Sequence, residues 1–161
     1  MKVTLLNHTP DALDLLLRTK NTRLRFESDP ATWSAAQRAE HLAYMRDTIK
    51  SSWEMVDYVF EISGVTRAFT HQLVRTRTGS YAQESQRTVD VRDSEVNKPA
   101  SVAASSESND WWDETIAKVK ACYVGLIHGH IPVQDARGIL PTNMTTSIVA
   151  KFNLRTLHEM G

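Results

Sequence analysis

Val3 and Leu5 alternate with polar neighbours at the start of the chain, a period of two that predicts a short strand ending at Thr9-Pro10. Leu13, Leu16 and Leu17 then recur at helical spacing, so a helix is expected just beyond Pro10. A polar stretch covers 20–30. Ser34 is placed to cap a second helix carrying Ala35, Ala39, Leu42 and Met45 to about Lys50. Over 53–62, Val56, Tyr58, Val59, Phe60 and Ile62 predict a strand whose even-numbered members share one face, ended by Ser63-Gly64. Val65, Phe69 and Leu73 stand four apart, and 65–77 is expected to form an amphipathic helix.

The segment 88–110 is rich in Ser, Asp, Glu and Asn, carries Pro99, and is expected to be a long exposed loop. Asn109 or Asp110 would cap the next helix, with Asp113 and Glu114 in its first turn and a buried stripe of Trp112, Ile116, Val119 and Tyr123 reaching about His128. Gly129 closes that helix, and Pro132 opens a short turn through Arg137. The run 146–152 reads as a strand, and Asn153 caps a helix from Leu154 to Met160. At 161 residues, without an internal repeat, the chain is expected to be one domain over 1–161.

A composition of 41% hydrophobic and 24% charged residues supports a folded core. Lysine plus arginine and aspartate plus glutamate balance at 19 each, so no overall field draws the chain to nucleic acid or an acidic membrane. Any anion site is therefore local. A single cysteine, Cys122, cannot form an internal disulfide, which suits a reducing compartment, and cytoplasmic residence is expected. No apolar run approaches the roughly 18 to 20 residues that span a bilayer, and the N-terminus lacks a signal-peptide core, so no membrane association or export is expected.

On a helical wheel over 65–77, Arg75 falls about 60° from Gln72 and Arg77 about 160° from Arg75. Two guanidinium forks so splayed suit two different anions. Gln72 falls inside the apolar stripe, where an unpaired amide is costly, and calls for a partner or ligand. Beyond it, 78–87 combines Gly79, small hydroxyl residues and a third arginine; backbone amides freed there, with Ser85 and Arg87, would make a phosphate cradle. Taken as spacing alone, three arginines so close together more often belong to a solvated surface than to a site.

Arg75-Thr76-Arg77, seven residues, then Ser85 resembles the Arg-His-Arg, seven residues, Ser signature of the flavin-dependent thymidylate synthases. Phe69-Thr70-His71-Gln72-Leu73-Val74 and Ser80-Tyr81-Ala82-Gln83-Glu84-Ser85-Gln86-Arg87 are similar to that family on both sides of the signature. Ala136-Arg137-Gly138-Ile139-Leu140-Pro141 and Asn153-Leu154-Arg155-Thr156-Leu157-His158 resemble its Ala-Arg-x-x-Leu-Pro and Asn-x-Arg-x-Leu segments in order and spacing. The resemblance implies an α+β fold, an antiparallel sheet flanked by helices, assembled as a homotetramer with sites between subunits. It implies methylation of dUMP to dTMP, with methylenetetrahydrofolate as carbon donor, FAD as cofactor and NADPH as reductant, and without attack by an enzyme cysteine.

Carried over by position, the resemblance implies that Gln72, Arg75, Gln83, Ser85, Arg87 and Arg137 hold dUMP, with backbone groups of Glu84 and Gln86 completing the cradle. Ser51, Arg75, Thr76, Arg77, Gln83, Asn153 and Arg155 would meet FAD. Arg75 and Arg87 would orient the nucleotide and stabilise charge that develops on it. Four departures stand out. Thr76 replaces the signature histidine, Thr88 a common tyrosine, and Met55 a histidine that often follows the upstream glutamate, here Glu54. The family also continues into a helix with a further dUMP-contacting arginine, whereas this sequence ends at Gly161, so an incomplete last helix is expected. Two rival readings are a nucleotide-binding relative without turnover and a phosphate- or RNA-binding module. His128-Gly129-His130 lacks cysteine or carboxylate partners at ligand spacing and is read as a helix end, so no metal is expected.

Overall fold

The computed structural model describes residues 1–22, 28–48, 50–89 and 91–161. The middle of the polar stretch read over 20–30, the position before Lys50 at the end of the second expected helix, and one position of the expected loop 88–110 lie outside them. The described residues form strands β1 (Lys2–His8), β2 (Asp57–Thr66), β3 (Ser80–Gln83) and β4 (Thr145–Asn153). The helices are α1 (Ala12–Thr22), α2 (Ala35–Thr48), α3 (Arg67–Leu73), α4 (Ala100–Ala103), α5 (Ser106–His128), α6 (Val133–Ala136) and α7 (Leu154–Met160). The strands make one antiparallel sheet in the order β1-β2-β4-β3, so the fold is α+β. Thr146, Ile148, Ala150 and Phe152 alternate onto the buried face of β4, as a half-covered strand requires.

The chain packs as two compact units. The first comprises 1–2, 62–75 and 82–148. Its core gathers Val91, Tyr123, Ala136 and Met144, with Val96, Leu126, Ile127 and Leu140 packed against them. The second comprises 3–61, 76–81 and 149–161. Its core gathers Leu16, Met45, Trp53 and Val56, with Leu15, Leu42, Tyr58 and Leu154 around them. In it α2 begins with a reciprocal capping box: Ser34 Oγ accepts from the Gln37 amide, and Gln37 Oε1 accepts from the Ser34 amide. Asn153 Oδ1 accepts from the Thr156 amide at 2.8 Å and starts α7 as its sequence position predicts.

Several sequence expectations are corrected. β1 is an edge strand on which Val3, Leu5 and Leu6 are all exposed, so its alternation does not mark a buried face. The strand expected over 53–62 begins at Asp57. Lys50–Met55 is a 3-10 turn that buries Trp53. Ser63-Gly64 does not end β2: Gly64, at φ 66°, bends the strand, which runs on to Thr66. The helix expected over 65–77 is α3 alone, because Thr66 is an extended N-cap whose Oγ1 accepts from the Phe69 amide.

The expected loop 78–87 contains β3. The expected loop 88–110 stops at Pro99, and α5 starts four residues before Asp110 because Ser105, rather than Asn109 or Asp110, caps it. Glu107, rather than Asp113 or Glu114, is therefore the acid in its first turn. Pro132 is the N-cap of α6 and not its first residue.

The end of α5 sets an unusual demand. The Gly129, His130 and Ile131 amides bond back to the carbonyls of Gly125, Ile127 and Leu126, and His130 takes a left-handed φ of 61°. Glycine is the residue that adopts this conformation without steric cost. His130→Gly is expected to raise stability by about 0.5–1 kcal/mol, the left-handed penalty less the greater chain entropy of glycine, as read by denaturant unfolding.

Candidate functional site

In the first unit, the chain leaves the sheet at Glu84. The Glu84 amide donates to the Ser147 carbonyl at 3.1 Å, and the Ser147 amide returns a bond to Glu84 Oε2 at 3.2 Å. The carboxylate thus replaces the backbone partner that the end of β3 no longer offers. Ser85 Oγ then accepts from the Arg87 amide at 3.1 Å, and the Ser85 carbonyl accepts from Val89. This is a serine turn, and it presents Ser85 and Arg87 outward, both exposed. Gln86 is half-buried, its amide on Met144 Sδ at 3.7 Å.

Two elements back this turn. From α3, the fully buried Thr70 hydroxyl donates to the Arg67 carbonyl at 3.0 Å and accepts from Gln83 Nε2 at 2.8 Å, which fixes the Gln83 side chain. Arg67, the first residue of α3, donates from Nη2 to the Glu84 carbonyl at 2.7 Å. Its Nε is buried without a hydrogen-bond partner among the described residues. Burial pulls the Arg67 guanidinium below its ordinary pKa; the Glu84 carboxylate opposes this, and the Arg137 charge adds to it. Arg137, at the end of α6, is half-buried and donates from Nε to the Gln134 carbonyl at 3.2 Å. Arg87 also lines a cavity of about 150 Å³ with Thr88, Val89, Tyr123, Ile127 and Val133, the last at the start of α6.

In the second unit, the residues after Arg75 form a tight turn. The Thr76 carbonyl accepts from the Gly79 amide at 3.0 Å and from the Tyr81 hydroxyl at 2.8 Å. The Tyr81 ring meets Phe152 edge-on, with centroids 5.7 Å apart. Burial raises the Tyr81 pKa, against which the Thr76 bond acts in part. Gly79 lies beneath these rings: a Cβ there would come within 2.6 Å of Tyr81 Cζ and 2.8 Å of Phe152 Cε1. Thr156 Oγ1 donates to Thr78 Oγ1 at 2.8 Å and ties the turn to the first turn of α7. Arg155, on that helix, holds Glu54 at 2.7 Å and Glu159 at 2.9 Å. The bonds to Glu159 and then Glu54 raise its pKa. Ser51 lies in the same 3-10 turn as Glu54, and both line a cavity of about 430 Å³ with Thr19, Thr22, Ser52 and Met55.

The sequence-predicted residues thus fall into two groups. Gln72, Arg75, Gln83, Glu84, Ser85, Gln86, Arg87 and Arg137 belong to the first unit; Ser51, Thr76, Arg77, Asn153 and Arg155 belong to the second. The wheel angles given to Arg75 and Arg77 do not apply, because α3 ends at Leu73 and these two residues occupy turns. Gln72 is exposed, so burial makes no demand for a partner. Glu84 offers no free amide, since its N–H is held by Ser147.

Sequence reasoning gave no site role to Arg67, Thr70 or Tyr81. A β-branched, hydroxyl-bearing Thr66 directly before Arg67 is a cap signal that would have moved the helix start and placed that arginine at a strand–helix junction.

Residues 4–160 match the model of a protein family described as thymidylate synthase complementing protein. The chain is 33% identical over 168 residues to a flavin-dependent thymidylate synthase of Geobacter sulfurreducens, an alignment covering all of this chain and 72% of that protein. It is 30% identical over 175 residues to that of Pyrococcus furiosus, with all of this chain and 70% of the relative covered. Similarity to the protein of the same name from Nitratidesulfovibrio vulgaris is 31% identity over 173 residues, 97% of this chain and 71% of the relative.

The packing at Gly79 is open to a direct check. Gly79→Ala is expected to displace the Tyr81 ring and break its bond to Thr76, and so to destabilise the protein by about 1–3 kcal/mol, the usual range for overpacking. Chemical denaturation reads this loss, and an alanine variant as stable as the parent contradicts the packing described.

Proposed function

The chain belongs to the thymidylate synthase complementing protein family, and from that premise we propose that it converts dUMP to dTMP with bound FAD, methylenetetrahydrofolate and NADPH. The observation that carries this reading is the serine turn of 84–89, which presents Ser85 and Arg87 outward with Arg67 held to the Glu84 carbonyl, in a chain with no net charge. Arg87 is the phosphate anchor, Ser85 and the Gln86 amide complete the cradle, and Arg137 adds a further cation. Gln72, Arg75 and Gln83 address the base. Arg75 stabilises negative charge that develops on the pyrimidine, a fixed dipole and charge role that needs no covalent nucleophile. Cys122 is exposed on α5, in neither of the two groups of site residues.

On the flavin side the donor set suits an anionic dinucleotide. Arg77 is exposed, Asn153 caps α7 through its oxygen and leaves its amide NH2 outside the cap, and Ser51 and Thr76 supply short polar contacts. Arg155 is the exception: two carboxylates hold it, and it would serve FAD by exchanging one of them for the cofactor. When bound, FAD supplies the redox chemistry. The chain's own part is to bind and orient the two ligands.

The protein acts in this reading as a cytoplasmic homotetramer. Val3, Leu5, Leu6 and Leu13 support assembly, since large apolar side chains exposed on and beside one edge strand suit a subunit contact. A second reading, nucleotide binding without turnover, is favoured by Thr76, which offers no imidazole where the family signature has one.

The test is a flavin spectrum on the purified protein, followed by dTMP formation from dUMP, methylenetetrahydrofolate and NADPH. Product supports the enzyme; dUMP binding without product supports the second reading. Arg87→Ala is expected to weaken dUMP about 10- to 100-fold, the cost of a lost charge-assisted fork, while FAD binding is unchanged. Equal losses for the two ligands contradict the assignment.

A further inference from the structure

Three guanidinium groups of the first unit bear on the turn that follows Glu84: Arg87 stands in it, Arg67 holds the Glu84 carbonyl, and the Arg137 charge acts on Arg67. Among the described residues Glu84 is the one carboxylate whose charge acts on Arg67, so these three arginines and Glu84 together carry two positive charges in excess. A phosphate monoester near neutral pH carries about −1.5 to −2 charges, which balances that excess. Arg87 is exposed and Arg137 half-buried, as ligand-contacting arginines are.

Arg67 differs from both. It lies behind the cradle, its Nη2 on the carbonyl of the residue from which the cradle departs, and its Nε buried without a partner among the described residues. Holding a carbonyl needs only a neutral donor. Partly burying a cation there, with the Arg137 charge acting on it, costs free energy that a structural hydrogen bond alone does not call for. An anion seated in the turn offsets the excess charge.

We propose, on the thymidylate reading above, that Arg67 is a positioning residue: fastened to the Glu84 carbonyl, it sets the cradle and makes it select a nucleoside monophosphate over the bare nucleoside. It acts through the 84–87 backbone and through its field, while Arg87 makes the direct contact.

The experiment compares dUMP with 2′-deoxyuridine, each titrated into the parent protein, Arg67→Gln and Arg67→Lys. Glutamine keeps a donor for the Glu84 carbonyl and removes the charge. Arg67→Gln is expected to weaken dUMP about 10- to 100-fold while 2′-deoxyuridine is unchanged, so that the preference for the monophosphate collapses. Arg67→Lys, which restores charge without the fork, is expected to recover part of that preference. A purely structural role would lower both affinities together, and parallel losses, or no loss, overturn the proposal.

If Arg67→Gln does not fold, Arg67→Lys decides: a monophosphate preference equal to that of the parent overturns the proposal, and a reduced one upholds it. A parent protein that binds neither compound overturns the thymidylate reading, and the proposal with it. A parent that prefers dUMP, with variants that prefer it equally, overturns the proposal alone.

Discussion

Strand β4 must satisfy its backbone on both edges, and the way it does so at Ser147 organises the first unit. β3 is only four residues long, too short to pair with all of that edge. Glu84 makes up the difference with its own amide on the Ser147 carbonyl and its carboxylate on the Ser147 amide. An unsatisfied buried backbone group costs roughly 1–3 kcal/mol, so this double bond does more than decorate the edge. It fixes where the chain leaves the sheet. The remaining polar group of Glu84, its carbonyl, then faces away and is met by Arg67. One residue thereby joins the sheet, the first turn of α3 and the start of the serine turn.

The second unit reaches a comparable precision by different means. Its turn after Arg75 is held by one carbonyl, that of Thr76, which accepts twice, and by two aromatic rings packed over a glycine. Apolar contact does the work that charge-assisted hydrogen bonds do around Glu84. Charge enters only at the rim, where Arg155 joins Glu54 and Glu159 in exposed pairs. Exposed pairs contribute little to stability.

Much of this was legible from local rules. Asn153, Gly129 and Ser34 stand at helix ends as capping chemistry requires, and Leu16, Met45 and Tyr123 are buried where helical spacing puts them. The failures share one cause: a period of four and a period of two fit the same few residues when the run is short. Val65 continues β2 as well as it starts a helix, and only the Thr66 cap bond decides between them. β3 escaped notice because Ser80, Tyr81, Ala82 and Gln83 hold one large apolar residue, too few for any period to register. Its existence depends on pairing with β4, a contact far away in the chain. Motif resemblance singled out Ser85, Arg87 and Arg137 as candidates, whereas Arg67 belongs to no motif, and its place follows from where the strand turns into a helix.

The same separation of backbone and side-chain roles explains how a signature position tolerates change. Thr76 occupies the place of a histidine, yet what the turn asks of this residue is its carbonyl, bonded to Gly79 and Tyr81. Any side chain supplies that oxygen. Threonine therefore preserves the presentation of Arg75 and Arg77 on either side of it while withdrawing an imidazole that could stack or donate. The scaffold and the chemistry at this position are independent variables, because the first is written in the main chain and in Gly79, Tyr81 and Phe152, and the second in one side chain.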